Sequence, residues 1–473
     1  MNPTHPDRPD RSSPSTLSDG RKRAVLLTVL LSTLTFPLTI TGASLALPDI
    51  QADLGAGLSA AQWAVNGYNA CFAGFLAVAG SLADVLGRRR VFAGGVALFF
   101  AAGALCGPVG DVLLLNLLRA LAGAGAAAAV AGGTSILSET FTGAARARAF
   151  GLLGTVLGAG TAFGPTAAGV LVDLLGWRAV FAAPALVAGA VLALCPLLPR
   201  LPGAPGRRVD AAGAVSFSAA LLLMITVFVE GPERGSGHPL TLGCAAGAVV
   251  LACVFAVVER RTADPMLDLA LLADRRFLAY AAAAGAIMAV LIPLLVYLPS
   301  YLISVVGLDA GRAGLWLLML TAPTVLLPSA GARLARAVPP IALVAAAVLL
   351  CGAGALLLTG IGPGTGPLAV LPGLVLVGSG AGLTNGILDG LAVGSVPAER
   401  AGTAAGVFNT VRITSETVAI ATVGALLAAL TSGSLQGAAY TSALHTACLV
   451  LAGFAVLSAA AALALHGGAR TPR

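Results

Sequence analysis

Fourteen apolar runs of about twenty residues, parted by short segments that hold nearly all of the charge, limit this chain more than any other feature. A helix needs about twenty apolar residues to cross a ~30 Å hydrocarbon layer. Inside that layer the backbone must satisfy its own hydrogen bonds, so runs of this length are read as helices. They fall near 24–47, 60–82, 90–109, 112–136, 148–172, 177–198, 211–230, 240–258, 278–303, 311–332, 339–360, 367–392, 403–430 and 439–465. Only 10% of the residues are charged and 58% are hydrophobic, whereas a soluble domain carries about 25% charged residues. The expected fold class is an all-α polytopic membrane protein. The first run begins too late and is too long for a cleavable signal peptide. Residues 1–23, rich in Pro, Ser, Arg and Asp, read as a disordered tail.

The positions of the charges orient these spans. With the N-terminus inside, 22 of the 27 basic residues fall in cytoplasmic segments. Arg178, Arg234 and Arg312 fall outside, and Arg119 and Arg412 fall within spans. That asymmetry follows the positive-inside rule, and an even span number puts both termini in the cytoplasm. The net charge of +7 therefore belongs to membrane topology, and no nucleic-acid partner is expected. The seven cysteines have no metal-ligand spacing and read as small buried hydrophobes, so no metal is expected. There is no nucleophile–base set and no Gly-x4-Gly-Lys-Ser/Thr phosphate loop in the sequence. Neither an enzyme nor an ATP-driven pump is expected, and no cofactor. The dominance of arginine, alanine and glycine points to a G+C-rich bacterial genome, and the expected location is the cytoplasmic membrane of a bacterium.

Between the second and third runs lies Gly80-Ser81-Leu82-Ala83-Asp84-Val85-Leu86-Gly87-Arg88-Arg89-Arg90. One carboxylate and three guanidinium groups crowd a tight turn at a membrane surface. Gly80 and Gly87 allow close backbone approach and chain reversal. Asp84 can accept from the arginines or from a helix N-terminus. Arginines alone would make an ordinary positive-inside loop. The ordered set Gly-x-Leu-Ala-Asp-x-x-Gly-Arg-Arg-Arg resembles the signature loop between spans 2 and 3 of the major facilitator superfamily of transporters. In that family the loop latches the two halves together on the cytoplasmic side.

Other motifs narrow the resemblance to the fourteen-span drug:proton antiporter branch. Span 4 carries Leu115-x3-Arg119-x3-Gly123-x-Gly125. An arginine inside a bilayer helix costs several kcal/mol unless it faces a polar interior. Arg119 either snorkels to the outer surface or is buried among small residues that permit tight packing; the resemblance implies a part in proton coupling. Span 5 carries Gly154, Gly158, Gly160, Gly164, Pro165 and Gly169. These residues could be generic glycine packing with a proline bend, but their order resembles the signature that separates antiporters from other members. The resemblance covers essentially the whole chain after residue 24. It implies the major facilitator fold: an N-terminal six-helix bundle over 24–199, a linker and two inserted spans over 200–276, a C-terminal six-helix bundle over 277–466, and a cytoplasmic tail over 467–473. Substrate would bind at the midplane between bundles that rock to alternate access.

One departure matters. The branch carries an Asp in span 1 that is a candidate proton carrier, and the matching position here is Thr39. Few acids lie within the spans; Glu416 is the deepest and Asp389, near the cytoplasmic mouth, is next. Arg412 and Glu416 stand four residues apart on one helix and can pair. Glu416 is thus read in two ways. It is either an intrahelical partner that neutralises Arg412, or a protonatable carboxylate replacing the missing acid, with Arg412 and Arg119 modulating it. Thr39, Asn66, Asn69 and Trp316 are candidates for the cavity wall, against a reading as plain helix packing. The expected function is export of drug- or antibiotic-like molecules in exchange for protons. The scarcity of carboxylates favours a neutral or amphiphilic substrate, and the expected unit is a monomer in the lipid bilayer. The alternatives are a narrow-specificity metabolite exporter and a degenerate, uncoupled transporter or receptor.

Overall fold

The computed structural model describes residues 18–199, 201, 210–235, 237–262, 269–396, 401–431 and 435–467. Among the described residues there is no strand. The first half holds α1 (Asp19–Leu45), α2 (Leu47–Leu54), α3 (Leu58–Leu86), α4 (Arg88–Leu105), α5 (Val112–Thr140), α6 (Gly143–Leu175) and α7 (Ala179–Leu194). Two further helices follow, α8 (Ala211–Arg234) and α9 (Pro239–Arg261). The second half holds α10 (Arg275–Ser304), α11 (Ala310–Leu326), α12 (Pro328–Leu334), α13 (Pro340–Leu357), α14 (Pro367–Thr384), α15 (Ile387–Gly394), α16 (Ala401–Thr431) and α17 (Gly437–Gly467). Among the described residues, eleven helical segments are long and apolar enough to cross a membrane, or thirteen if each of two bent pairs is one span. The remaining apolar run is α4, which is 18 residues long and begins with Arg88, Arg89 and Arg90.

The chain departs from the sequence-based expectation at several helix ends, each with a local cause. Residues 19–23, assigned above to a disordered tail, are the first turn of α1; Asp19 there complements the helix dipole. The earlier part of the tail, most of the linker before α8, Glu399, Arg400 and the last six residues lie outside the described residues. The loop after α1 folds into α2, whose first turn contains Pro48, a residue whose fixed φ suits that position. Pro328 plays the same part at the start of α12, and α11 and α12 meet at a bend of 44°. The run near 367–392 is broken at Gly386, which has φ +78°. By contrast, the arginine motif needs only Gly87, at φ +96°, to end α3 and start α4.

The two ends of the molecule differ. One face carries the starts of α1, α4 and α6 and the ends of α3, α5 and α7. Arg21 Nε donates to the Leu197 carbonyl there at 3.3 Å, and Arg88 pairs with Glu139 at 2.8 Å. At the opposite face the halves are joined. One hydrophobic core runs from Leu45, Leu47 and Ile50 into Tyr297, Leu298 and Tyr301 of α10. A separate core, with Val29, Phe92 and Val96, fills the first half towards the arginine-rich face.

A single stripe on α6 shows the same taper. At its far end a side chain on Gly169 would meet the carbonyl of Ala310 and lie 3.0 Å from the Gly311 Cα. One turn back, Thr166 Oγ1 donates to the Gly314 carbonyl at 3.0 Å. A further turn back, the Ala162 carbonyl accepts from Thr321 Oγ1 at 2.7 Å. A Cβ on Gly158 would then have only Val325 within reach, at 3.7 Å, and one on Gly154 would meet nothing within 4 Å. The cleft between α6 and α11 is therefore shut at the opposite face and open towards the arginine-rich face. Thermal melts of two alanine variants test this. Gly169→Ala overpacks the closed end and should cost ~1–3 kcal/mol. Gly154→Ala fills open space on a helix and should be neutral or stabilising by up to ~1 kcal/mol.

Helix α8 lies against helices of both halves. Ser218 Oγ donates to the Gly74 carbonyl at 2.7 Å, and Trp63 Nε1 donates to Glu230 at 2.9 Å. Leu221, Ile225 and Val229 share a small core with Ala70 and Ala73 of α3 and Ala421 of α16.

Candidate functional site

Where α3 crosses α5, Gly123 leaves room for the backbone of Tyr68. That close approach puts Arg119 inside the first bundle, at 1% exposure. Its Nε donates to the Ala64 carbonyl at 2.7 Å. Its guanidinium lies 4.4 Å from the centroid of the Tyr68 ring and 5.1 Å from that of Phe181. Its Nη2 has no hydrogen-bond partner. Among the described residues no carboxylate lies within ion-pair distance. Arg119 therefore does not snorkel to the surface; the aromatic rings and a carbonyl hold it in the interior.

Polar side chains continue across α3 towards the second half. Gln62 Nε2 donates to the Gly424 carbonyl of α16 at 3.4 Å. The Tyr297 hydroxyl donates to the Ile420 carbonyl at 3.1 Å and lies beside Asn66. Both polar atoms of Asn66 lack a partner of good geometry, as do Asn69 Nδ2, the Tyr68 hydroxyl and Thr39 Oγ1. An unsatisfied buried polar group costs ~1–3 kcal/mol. Those on Gln62, Asn66 and Asn69 fall on successive turns of α3 and mark a place where water or a ligand completes the bonding. Trp316 is half-buried against the main core.

Glu416 lies one turn along α16 from Ile420; the antiparallel register that pairs Gln62 with Gly424 sets Glu416 level with Asn69. Tyr68 is within electrostatic range of its carboxylate. Of the two readings of Glu416, the ion pair with Arg412 is not formed among the described residues. Arg412 Nη1 instead reaches Asp389 of α15, which packs beside α16, at 3.8 Å. Glu416 keeps accessible surface deep in the helical assembly. Among the described residues it has no hydrogen-bond or ion-pair partner. The structure thus brings Glu416 and the α3 amides to one interface and leaves Arg412 with Asp389 nearer the arginine-rich face. In the signature loop, Arg88 lies 3.6 Å from Asp84 and 2.8 Å from Glu139, all within the first half.

The closed face holds residues that the sequence reading passed over. Asp173 ends the glycine stripe of α6 and accepts from the backbone N–H of Ala310 at 3.2 Å and of Gly311 at 2.7 Å. A carboxylate from the first half therefore caps the N-terminus of α11 in the second. Nearby, Asp53 accepts from Arg178 at 2.7 Å and from Trp177 at 3.1 Å. Those hydrogen bonds, Arg178 first, hold the Asp53 carboxyl below its ordinary value of 3.8. The contribution of this clip is present above that value and is lost as pH falls through the lowered one, so it persists through mildly acidic conditions. Asp49 is pushed the other way, by desolvation and then by the charges of Asp173 and Asp53. A carboxylate placed at the end of a small-residue helix face was the available sequence signal for Asp173. Asp173→Asn should weaken closure by about 1 kcal/mol, allowing for its exposure. Distance measurements between spin labels on α6 and α11 should show about fivefold more of the separated state.

The family profile described as Major Facilitator Superfamily matches residues 29–415. The chain belongs to the major facilitator superfamily. As a member, it is similar to the Multidrug resistance protein Stp of Mycobacterium tuberculosis, with 32% identity over 83% of this chain and 73% of that protein. It is 33% identical to the Puromycin resistance protein pur8 of Streptomyces alboniger, over 83% of this chain and 79% of the relative. It is 32% identical to the Probable actinorhodin transporter of Streptomyces coelicolor, over 90% of this chain and 79% of the relative. Among solved structures, the peptide transporter POT superposes with a TM-score of 0.70 at 14% identity, over 93% of this chain and 94% of that one. That likeness shows a shared fold.

Proposed function

We propose that this protein exports drug- or antibiotic-like small molecules across a bacterial cytoplasmic membrane in exchange for protons. In this reading the chain crosses the membrane fourteen times with both termini in the cytoplasm, and it acts as a monomer. The arginine-rich face is cytoplasmic, and the described conformation is inward-facing. The observation that carries the reading is the partly accessible, partnerless Glu416 at a bundle interface that is shut at one face and tapers open at the other. Glu416 takes the proton and Arg119 shapes the field at Tyr68. The amides of Asn66 and Asn69, with Thr39, meet the polar groups of a neutral or amphiphilic substrate. The names of the relatives, which include multidrug and puromycin resistance proteins, support the substrate class.

The test is expression in a drug-hypersusceptible bacterium. Raised resistance to several chemically unrelated antibiotics, abolished by a protonophore, is the expected result. Unchanged susceptibility with the protein present in the membrane would contradict it. A second reading rests on Thr39, a neutral residue where the antiporter branch has an acid: a transporter without proton coupling. Drug movement down its own gradient in vesicles, indifferent to a protonophore and with no raised resistance in cells, would favour that reading.

A further inference from the structure

A second cavity lies on the arginine-rich face, away from the bundle interface. Asp19, Lys22, Arg23 and Leu26 of α1 form one wall, and Thr140, Phe141, Thr142 and Ala145 at the α5–α6 junction form the other. Its volume is about 350 Å³, within the range of small-ligand sites. Three features point to an anion. Lys22 and Arg23 both line it. Thr142 stands at the N-cap of the 33-residue α6 with no side-chain capping hydrogen bond among the described residues, and the positive end of that helix's dipole lies at this junction. The Thr140 hydroxyl oxygen is buried with no partner.

The charges also select the kind of anion. Two cations less the one carboxylate of Asp19 leave the lining at +1, which matches a singly charged phosphodiester better than a doubly charged free phosphate. Leu26 and Phe141 make the rest of the wall apolar and join the adjoining hydrophobic core. Leu27, one residue along α1, is 63% exposed. A ligand with a phosphate at one end and hydrocarbon at the other fits this arrangement, and basic pockets beside transmembrane helices are suited to such headgroups.

We infer that this cavity is a binding site for the phosphodiester of an anionic phospholipid. The headgroup ties the start of α1 to the α5–α6 junction. The inference does not depend on what the protein transports.

The experiment uses the full chain, purified and delipidated, with native mass spectrometry after titration of phosphatidylglycerol or phosphatidylcholine. The wild type should hold one phosphatidylglycerol at least tenfold more tightly than phosphatidylcholine. The double variant Lys22→Gln/Arg23→Gln should lose at least tenfold in phosphatidylglycerol affinity. Thr140→Val, which leaves the net charge alone, should lose about threefold or more. The double variant Arg333→Gln/Arg336→Gln, which removes two exposed arginines of the same face outside the cavity, should bind as the wild type does. Equal retention of the two lipids, or equal losses for the two double variants, would overturn the inference. So would inorganic phosphate in lipid-free detergent displacing the lipid or stabilising the wild type equally well, since the site would then serve a soluble anion.

Discussion

Glu416→Gln is expected to reduce pH-driven efflux by about 5–150-fold, the range of a typical coupling free energy between two bound species. The change is nearly isosteric. The lost group has no ion-pair or hydrogen-bond partner among the described residues, so the fold should survive. Downhill movement of substrate without a gradient should persist, because the amides of α3 remain. A structural role for Glu416 would give the reverse: a lowered melting temperature with gradient-driven efflux intact in whatever protein folds. Unchanged gradient-driven efflux in a stable variant would remove Glu416 as the proton carrier. The separate pairing of Arg412 with Asp389 adds a control, since Asp389→Asn should leave coupling less affected than Glu416→Gln.

Arg119→Met carries the second large effect, with opposite signs for stability and transport. The arginine is buried without a carboxylate, and only one of its polar contacts is a hydrogen bond of short length. Replacing buried ionic groups with apolar residues of similar volume is often neutral or stabilising by ~1–4 kcal/mol. Methionine fills the space beside Tyr68 and Phe181, so the melting temperature should hold or rise. Efflux should fall by about tenfold or more, because the positive field at the Tyr68–Glu416 interface is gone. A marked drop in melting temperature together with retained efflux would assign Arg119 to packing alone.

Much of the fold was legible because membrane insertion imposes its pattern directly on the sequence. A run of twenty apolar residues has few alternatives in lipid, and α10, α13 and α17 fall close to the expected limits. What was not legible was backbone geometry set by single residues. Gly386 breaks a run that reads as continuous, and Asp389 on the short helix beyond it is the ion-pair partner that Arg412 takes. Helix periodicity put the two side chains on one face; it could not show that α15 would supply a competing carboxylate. The burial of Arg119 was left between two readings by sequence because the deciding contact, Gly123 against the Tyr68 backbone, is tertiary. Asp173 was missed for the same reason. Its partners are backbone N–H groups of α11, which leave no mark in residue type beyond small side chains at Ala310 and Gly311.

The exchange of substrate for protons is tested most directly in tight proteoliposomes holding the purified protein, with an imposed pH gradient and a lumenal pH dye. A panel of lipophilic antibiotics is added one at a time. The account predicts proton flux triggered by some members of the panel, saturable in drug and reduced about fivefold or more in Glu416→Gln. No drug-triggered flux from folded protein in vesicles that hold their gradient, alongside measurable drug movement, would contradict proton exchange and leave an uncoupled transporter.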